Sequence, residues 1–181
     1  MKKYKFFNDI HKFGCYEIDC QLEFGEDCYY LGDNIDLSCC KKSDVFRALE
    51  CLEYYKEQFK GRFVSGNHEL GAVNHLKVDD ILMTHGDYIF WPKIQADAYR
   101  NRNVGMSPAM RFLVWLSVGE ALSIRNWEIS RLMKHRAFKL AKKHKCTTIV
   151  MGHWHPRTIQ DFTYKGIRVI VLPRGKTEIE L

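Results

Sequence analysis

Five short polar clusters rich in histidine and aspartate recur along the chain. They are Asp9-Ile10-His11, Gly32-Asp33-Asn34-Ile35-Asp36, Gly66-Asn67-His68-Glu69, His85-Gly86-Asp87 and Gly152-His153-Trp154-His155. Imidazole and carboxylate groups are usual ligands of Mn, Fe and Zn in proteins. Two residues separated by one position in an extended segment, such as Asp9 and His11, direct their side chains to the same side. The residue types and this spacing therefore indicate metal-dependent chemistry.

A predicted β-strand precedes each of these clusters and must position it. The predicted strands are Lys3–Phe7, Cys28–Leu31, Arg62–Ser65, Asp80–Thr84 and Cys146–Met151. In an open α/β sheet the carboxyl ends of the strands share one edge, and ligands bind at that edge. The sequence therefore predicts an α/β fold in which clusters far apart in the chain converge on one site.

Two further patterns complete the predicted core. Val45, Leu49 and Leu52 follow one another at helical spacing, which predicts a helix over residues 44–60 with Ser43 as its N-cap. The segments Thr158–Tyr164 and Ile167–Leu172 predict a hairpin that turns at Lys165-Gly166.

The region between Asp87 and Cys146 has a different character. An apolar helix is predicted from Met110 to Leu122, and Asn126 can cap a second, basic helix. We interpret this region, about residues 90–145, as a helical cap inserted into a single domain that spans residues 1–181.

Composition limits the class of protein. The chain has 181 residues, of which 46% are hydrophobic and 28% are charged, as expected for a globular domain. No apolar run is long enough for a membrane-spanning helix, and the amino terminus does not resemble a signal peptide. The seven cysteines have irregular spacing and form no CxxC motif, which favours reduced thiols and a cytoplasmic protein.

Positive charge is concentrated in the predicted cap. Eleven Lys and Arg and two Glu lie between Arg100 and Lys145, a local net charge of +9 in a chain whose net charge is +6. Such a region suggests an anionic partner: nucleic acid, a phospholipid surface or a phosphorylated substrate. The alternative interpretation is a solvated helical face that happens to be rich in lysine.

Taken in order, the five clusters resemble the motifs of the calcineurin-like metallophosphoesterase superfamily: DxH, GDxxD, GNH followed by an acid, His, and GHxH. The matched blocks span residues 9–155. The resemblance implies a four-layer αββα sandwich of two packed sheets flanked by helices. It also implies a site with two divalent metal ions, Mn in the first place and otherwise Fe or Zn.

The resemblance also assigns roles to individual residues. It makes Asp9, His11 and His155 ligands of one ion, makes Asn67, His85 and His153 ligands of the other, and makes Asp33 the bridge. His68 would lie beside the scissile phosphate as general acid or charge stabiliser, and Asp36 and Glu69 would orient their neighbours. Glu69 stands where the family more often has Asp. The implied reaction is hydrolysis of a phosphoester or phosphoanhydride by a hydroxide that bridges the two ions.

The predicted cap is the part of the chain that indicates the class of substrate. An apolar helix followed by a basic one is similar in layout to the insertion of UDP-2,3-diacylglucosamine pyrophosphohydrolases, which implies a lipid-linked nucleotide pyrophosphate. A cationic cap would also suit peripheral contact with an anionic membrane.

The alternative substrate is a nucleotide or nucleic acid, with the basic segment following the phosphate backbone. Against this alternative, Trp115 and Trp127 lie in apolar stripes and are not interleaved with Lys and Arg. A protein phosphatase is disfavoured because Leu37-Ser38 stands where that subfamily carries Arg-Gly. An inactive binding scaffold is disfavoured because all seven ligand positions are kept.

Overall fold

The computed structural model describes residues 2–10, 22–37, 40, 42–69, 73–90 and 128–181. Nine strands lie in these residues: β1 Lys3–Asn8, β2 Cys28–Leu31, β3 Phe63–Val64, β4 His75–Val78, β5 Ile81–Thr84, β6 Thr148–Met151, β7 Gln160–Tyr164, β8 Ile167–Val171 and β9 Gly175–Glu180. Three α-helices lie there as well: α1 Val45–Gln58, α2 Asp87–Phe90 and α3 Arg131–Lys143.

The strands form two mixed sheets. The first sheet has the order β3-β2-β1-β9, with β1, β2 and β3 parallel and β9 antiparallel to β1. The second sheet has the order β4-β5-β6-β8-β7, with β5, β6 and β8 parallel and antiparallel strands at both edges. Each sheet therefore has a parallel centre, and its carboxyl ends form one edge.

The two sheets pack face to face, and a helix covers the outer face of each. Successive residues of a strand point to opposite faces, so Phe6 lies between the sheets while Phe7 packs against α1. Ala137 and Ala141 of α3 lie against the outer face of the second sheet. The layer order is α1, first sheet, second sheet, α3, and the predicted α/β sandwich of the αββα type is confirmed.

Helix α3 differs from its predicted place. We expected the basic helix to begin at Asn126 and to belong to the cap over residues 90–145. In the structure it begins at Arg131, where the Ser130 hydroxyl accepts a hydrogen bond from Met133 N at 3.3 Å. It packs on β6, β7 and β8 because its alanines permit close approach to the sheet. Residues 131–143 are therefore an outer layer of the sandwich.

Three smaller features also differ from the sequence-based expectation. Ser43 is not the N-cap of α1, because a 3₁₀ turn over Lys42–Asp44 precedes the helix and the Ser43 hydroxyl donates to Asp44. Strands β4 and β9 were not predicted, because both are edge strands whose many polar residues give only a weak strand signal.

Several expectations fall on residues outside the described part of the chain. They concern His11, the helix Met110–Leu122, Asn126, Trp115 and Trp127. Within the described residues, none of the helices combines the length and the apolar character needed to cross a bilayer.

Candidate metal centre

The polar clusters that follow the parallel strands meet at the carboxyl edge of the two packed sheets. Asp9 follows β1 and Asp33 follows β2 in the first sheet, whereas His85 follows β5 and His153 follows β6 in the second. The backbone N–H of His153 donates to Asp9 Oδ2 at 2.8 Å, and His85 Nε2 lies 3.1 Å from Asp33 Oδ2. The site is therefore assembled from both sheets.

Asp33, His85 and His153 form the centre of this cluster. One ligand atom from each residue lies within 4.8 Å of the others. His85 Nε2 is also 3.1 Å from His153 Nδ1 and 3.0 Å from the amide oxygen of Asn67. The structure thus brings these four predicted ligands together in one cluster.

Asp9 and His155 form a neighbouring pair. His155 Nε2 lies 2.9 Å from Asp9 Oδ1, and His85 Nε2 lies 3.9 Å from the same oxygen. Asn8 Nδ2 donates to Asp9 Oδ2 at 2.8 Å and to the carbonyl of Pro173 at 2.9 Å, which fixes the carboxylate on the loop after β8. Six of the seven predicted ligands therefore lie in one connected network, and His11 lies outside the described residues.

Four of these residues have a strained backbone. Asp9, Asp33, His153 and His155 have φ values of 52°, 53°, 65° and 48°, in the left-handed region that non-glycine residues seldom occupy. Each such residue costs on the order of 1–3 kcal/mol, and such costs cluster at functional sites. Strained backbone at four of the expected ligands therefore marks this cluster as a candidate functional site.

Glycine leaves the space that the two aspartates occupy. A Cβ on Gly66 would lie 1.9 Å from Asp33 Oδ1, and a Cβ on Gly152 would lie 2.5 Å from Asp9 Oδ2. Real side chains do not tolerate such distances, so each motif glycine is required by the carboxylate that packs against it.

Two buried carboxylates determine the electrostatics of the centre. Asp9 and Asp33 are 0% and 1% exposed. Burial by itself lowers the pKa of His85, but the carboxylates of Asp33 and Asp9 outweigh it and raise its pKa to about 10. Burial and the neighbouring His85 hold the pKa of His153 well below its usual value. The two buried carboxylates thus favour positive charge beside them, which a cation bound at this site would supply.

The donor set and its supports fit divalent metal ions. Carboxylate oxygen and imidazole nitrogen suit Mn, Fe and Zn. His85 Nδ1 donates to the carbonyl of Leu31 at 3.1 Å, so that Nε2 faces Asp33 and His153. An imidazole that ligates a metal usually donates its other N–H to a carbonyl or carboxylate in this way, which fixes its orientation.

His68 lies at the side of the cluster. Its ring Nδ1 is 3.0 Å from Asp36 Oδ1, and Nε2 is 4.0 Å from Asp33 Oδ2. Its backbone N–H donates to Asp33 Oδ1 at 2.7 Å. The side chain is 19% exposed, whereas that of Asp36 is 4% exposed. A buried carboxylate thus holds a partly exposed imidazole beside the expected ligands, as a proton-transferring group requires.

Glu69 supports the loops and does not contact the His68 ring in any described hydrogen bond. Its Oε1 accepts from Asn34 N at 2.9 Å, from Ile35 N at 3.1 Å and from the Tyr30 hydroxyl. Its Oε2 accepts from Gly66 N at 3.0 Å. Burial and the nearby Asp33 raise the pKa of Glu69. One buried carboxylate therefore ties the loop after β2 to the loop after β3.

We expect Glu69→Ala to lower the free energy of unfolding by about 3–4 kcal/mol. The substitution leaves the buried N–H groups of Asn34, Ile35 and Gly66 without their acceptor, at about 1–3 kcal/mol each before relaxation. Urea denaturation measures the loss. Tyr30→Phe, which removes one donor, should cost about 1 kcal/mol, and Glu57→Ala on the exposed face of α1 should change stability by less than about 0.5 kcal/mol. Equal stabilities for Glu69→Ala and Glu57→Ala would contradict the supporting role.

Sequence reasoning missed Arg174. This exposed residue follows β8, and its Nε donates to the carbonyl of Asp9 at 3.0 Å. A guanidinium is thereby held on the loop that carries one of the expected ligands. Because Arg174 belongs to none of the motifs, only the pairing of the two sheets shows its position.

An aromatic pair at the site was also missed. Phe90, the last residue of α2, stacks on Trp154 with ring centroids 5.0 Å apart and an interplanar angle of 9°. Phe90 also lies 5.2 Å from the His153 ring. Arg136 of α3 donates to the carbonyls of Ile89 and Phe90 at 3.1 and 3.0 Å, which anchors the carboxyl end of this short helix.

The chain was compared with family models, curated proteins and solved structures. No family model and no curated protein matches the chain. Among solved structures, a conserved protein of Streptococcus pneumoniae TIGR4, described as a predicted phosphoesterase, is 16% identical, with 99% of this chain and 85% of that chain covered and a TM-score of 0.45. A structure described as a cold-active protein tyrosine phosphatase is 14% identical, with 99% and 74% covered and a TM-score of 0.47.

Proposed function

We propose that the protein is a metal-dependent phosphoesterase. The observation that carries the proposal is the convergence of Asp33, His85 and His153, with Asp9 beside them, at the carboxyl edge of the two sheets. Buried carboxylates and imidazoles in mutual contact are a donor set that suits divalent cations such as Mn, Fe and Zn.

In this proposal each predicted site residue has one role, either in holding a metal ion or in transferring a proton. Asn67, His85 and His153 would hold one ion, Asp9 and His155 with His11 would hold a second, and Asp33 would lie between them. When bound, such ions supply positive charge to the phosphate and lower the pKa of water enough to provide a nucleophile at neutral pH. His68, held by Asp36, would transfer a proton to the departing oxygen.

Hydrolysis of bis-p-nitrophenyl phosphate tests the proposal. The protein, stripped with a chelator and reconstituted with Mn, should release p-nitrophenol, and excess chelator should stop the release. Fe and Zn are tested in parallel. A reconstituted protein that binds less than one equivalent of metal and shows no turnover with any of the three ions would contradict the proposal.

For the substrate we propose a lipid-linked nucleotide pyrophosphate, on the predicted apolar helix Met110–Leu122 of the cap; the basic helix predicted to follow it belongs to the outer layer of the sandwich. UMP release from UDP-2,3-diacylglucosamine in detergent with Mn measures it. UMP release that a chelator abolishes would support the proposal. No release by a preparation that hydrolyses bis-p-nitrophenyl phosphate would contradict this substrate and leave the phosphoesterase proposal intact.

A nucleotide or nucleic acid is the second candidate substrate, and one observation favours it. The aromatic rings of Phe138 and Tyr164 lie among lysines on the outer face of the sandwich, with Lys165 Nζ 5.7 and 5.8 Å from their centroids. In the sequence, the aromatic residues Trp115 and Trp127 are not interleaved with Lys and Arg, and this was the argument against a nucleic-acid substrate.

The location in the cell is also proposed. Among the described cysteines, Cys28 and Cys146 carry free thiols. Free thiols support a reducing, cytoplasmic compartment, with peripheral contact at an anionic membrane if the substrate is lipid-linked.

Arg174 should contribute to substrate binding. We expect Arg174→Gln to lower kcat/KM by about 10–100-fold, mainly through KM, since one charge-assisted hydrogen bond to a phosphate is worth about 1.5–3 kcal/mol. Steady-state kinetics with Mn at saturation measure the change. Arg168→Gln, which breaks an exposed pair with Asp161 on β7, is the matched control. Identical kinetics for both variants would exclude Arg174 from phosphate binding.

A further inference from the structure

Helix α3 and the adjoining hairpin turn carry a dense positive charge. The 13 residues of α3 include six Lys or Arg and no Asp or Glu. Lys139, Lys142 and Lys143 are exposed, and Lys165 is exposed at the turn between β7 and β8. Among the described residues, no carboxylate lies within ion-pair distance of these four lysines, whereas Lys134 is paired with Glu128 at 2.6 Å.

Aromatic rings lie between these lysines. Phe138 and Tyr164 form an edge-to-face pair with centroids 6.2 Å apart. Lys142 Nζ lies 5.8 Å from the Phe138 centroid, and Lys165 Nζ lies 5.7 Å from it. His135 stacks on Phe138 at 6.1 Å. We call the surface formed by Phe138, Lys139, Lys142, Lys143, Tyr164 and Lys165 the basic aromatic face.

We propose that the basic aromatic face binds single-stranded nucleic acid. Lysines would neutralise successive phosphates, and the rings of Phe138 and Tyr164 would stack with bases. This combination of a cationic track and aromatic side chains is what binds single strands with little sequence preference. The face fits a negatively charged polymer because its lysines lack carboxylate partners among the described residues.

The composition of the face favours a nucleic acid over a membrane surface. Phe138 and Tyr164 are half-buried and lie among exposed lysines. A membrane-binding helix instead presents a continuous apolar side that enters the lipid, and here the inner side of α3 is occupied by the second sheet through Ala137 and Ala141.

The orientation of α3 relates the face to the candidate metal centre. The helix runs antiparallel to β6, so its amino-terminal end lies toward the carboxyl edge of the sheet. Midway along it, Arg136 holds the carbonyls of Ile89 and Phe90 beside His153. The Lys165 turn and the carboxyl end of α3 lie at the amino ends of β6 and β8, so the basic aromatic face is at the edge of the second sheet opposite the candidate metal centre. Binding itself does not depend on the proposed phosphoesterase activity.

Fluorescence anisotropy with a labelled single strand of about 15 nucleotides tests the proposal. Binding is measured in excess chelator, so that no substrate is consumed and failure of catalysis has no bearing on the result. We expect a Kd of about 10⁻⁴–10⁻⁶ M at physiological salt that weakens steeply as salt is raised. The double variant Lys142→Gln/Lys165→Gln should bind about 10–30-fold more weakly at about 0.1 M salt, since two phosphate contacts are lost.

The control carries the same charge change on the opposite layer. Lys56→Gln/Lys60→Gln alters α1 and the residues that follow it, and should change the affinity by less than about threefold. Phe138→Leu should weaken single-strand binding by about 5–100-fold without changing the salt dependence, because it removes a stacking surface.

Three results would overturn the proposal. No binding of the single strand by the unsubstituted protein is the first. The second is equal loss of affinity in the two double variants, which would reflect net charge alone. Binding to phosphatidylglycerol vesicles that depends on Lys142 and Lys165, without binding of the oligonucleotide, is the third and would assign the face to a membrane.

Discussion

Asp33→Asn is expected to abolish metal-dependent hydrolysis. The carboxylate is 1% exposed, lies 3.1 Å from His85 Nε2 and accepts from the backbone N–H of His68 at 2.7 Å. Asparagine keeps the size and the acceptor for His68 but removes the negative charge that would hold a cation between the two sets of ligands. The loss of kcat should exceed the roughly 10²–10³-fold cost of one oxyanion-hole donor, because the Lewis acid and the source of the nucleophile fail together.

Two measurements separate this outcome from unfolding. Calorimetric titration with Mn should show the loss of at least one binding event, while the thermal midpoint of the metal-free protein should stay within a few degrees. Asp161→Asn, an identical change at an exposed pair with Arg168, should leave both metal binding and turnover unchanged. Full metal occupancy in Asp33→Asn would remove Asp33 from the proposed centre.

The convergence of the site could be predicted from the sequence because it follows from topology. Parallel strands place their carboxyl ends at one edge, so a cluster such as Gly32-Asp33 or Gly152-His153 needs only its preceding strand to be recognised. The motif order then predicts partners that lie more than 140 positions apart. The 2.9 Å contact between Asp9 and His155 is one of these.

Contacts that depend on the packing of two layers could not be predicted. The edge strand β9 pairs with β1 across the whole chain, and its polar residues give only a weak strand signal. The basic helix carries a strong helical pattern, but its periodicity does not tell whether alanines face a sheet or a substrate. The positions of Arg174 and of the Phe90–Trp154 stack likewise follow from tertiary packing alone.

Glu69 shows how a motif residue can be identified while its contacts are not. The resemblance implies a supporting group that orients a neighbour, and the adjacent residue of its own motif is His68. The structure instead gives that contact to Asp36, at 3.0 Å, and directs Glu69 to three backbone N–H groups and the Tyr30 hydroxyl. Backbone donors leave no trace in a sequence, so this difference is visible only in the fold.

His68→Ala should retain metal and lose turnover. Its contact with Asp33 is made by the backbone N–H, at 2.7 Å, and alanine keeps that donor. Mn affinity should therefore change by less than about threefold, whereas kcat for a phosphoester with an alkyl alcohol leaving group should fall by about 10²–10⁴-fold, the usual contribution of a positioned proton donor. His75→Ala, on the edge strand β4, is the matched control and should leave kcat unchanged. Weakened Mn binding in His68→Ala would instead make His68 part of the metal centre.

The leaving group distinguishes the two roles open to His68. If the imidazole protonates the departing oxygen, the loss should be small for p-nitrophenol, which leaves readily without a proton, and large for an alkyl alcohol. A group that only stabilises charge on the phosphate would give equal losses with both substrates. We expect the unequal result, because Asp36 Oδ1 holds the ring by Nδ1 and so directs Nε2 toward the expected ligands. Asp36→Asn should then reproduce the leaving-group dependence at a smaller scale, about 10–100-fold, as expected for a partner that orients the imidazole.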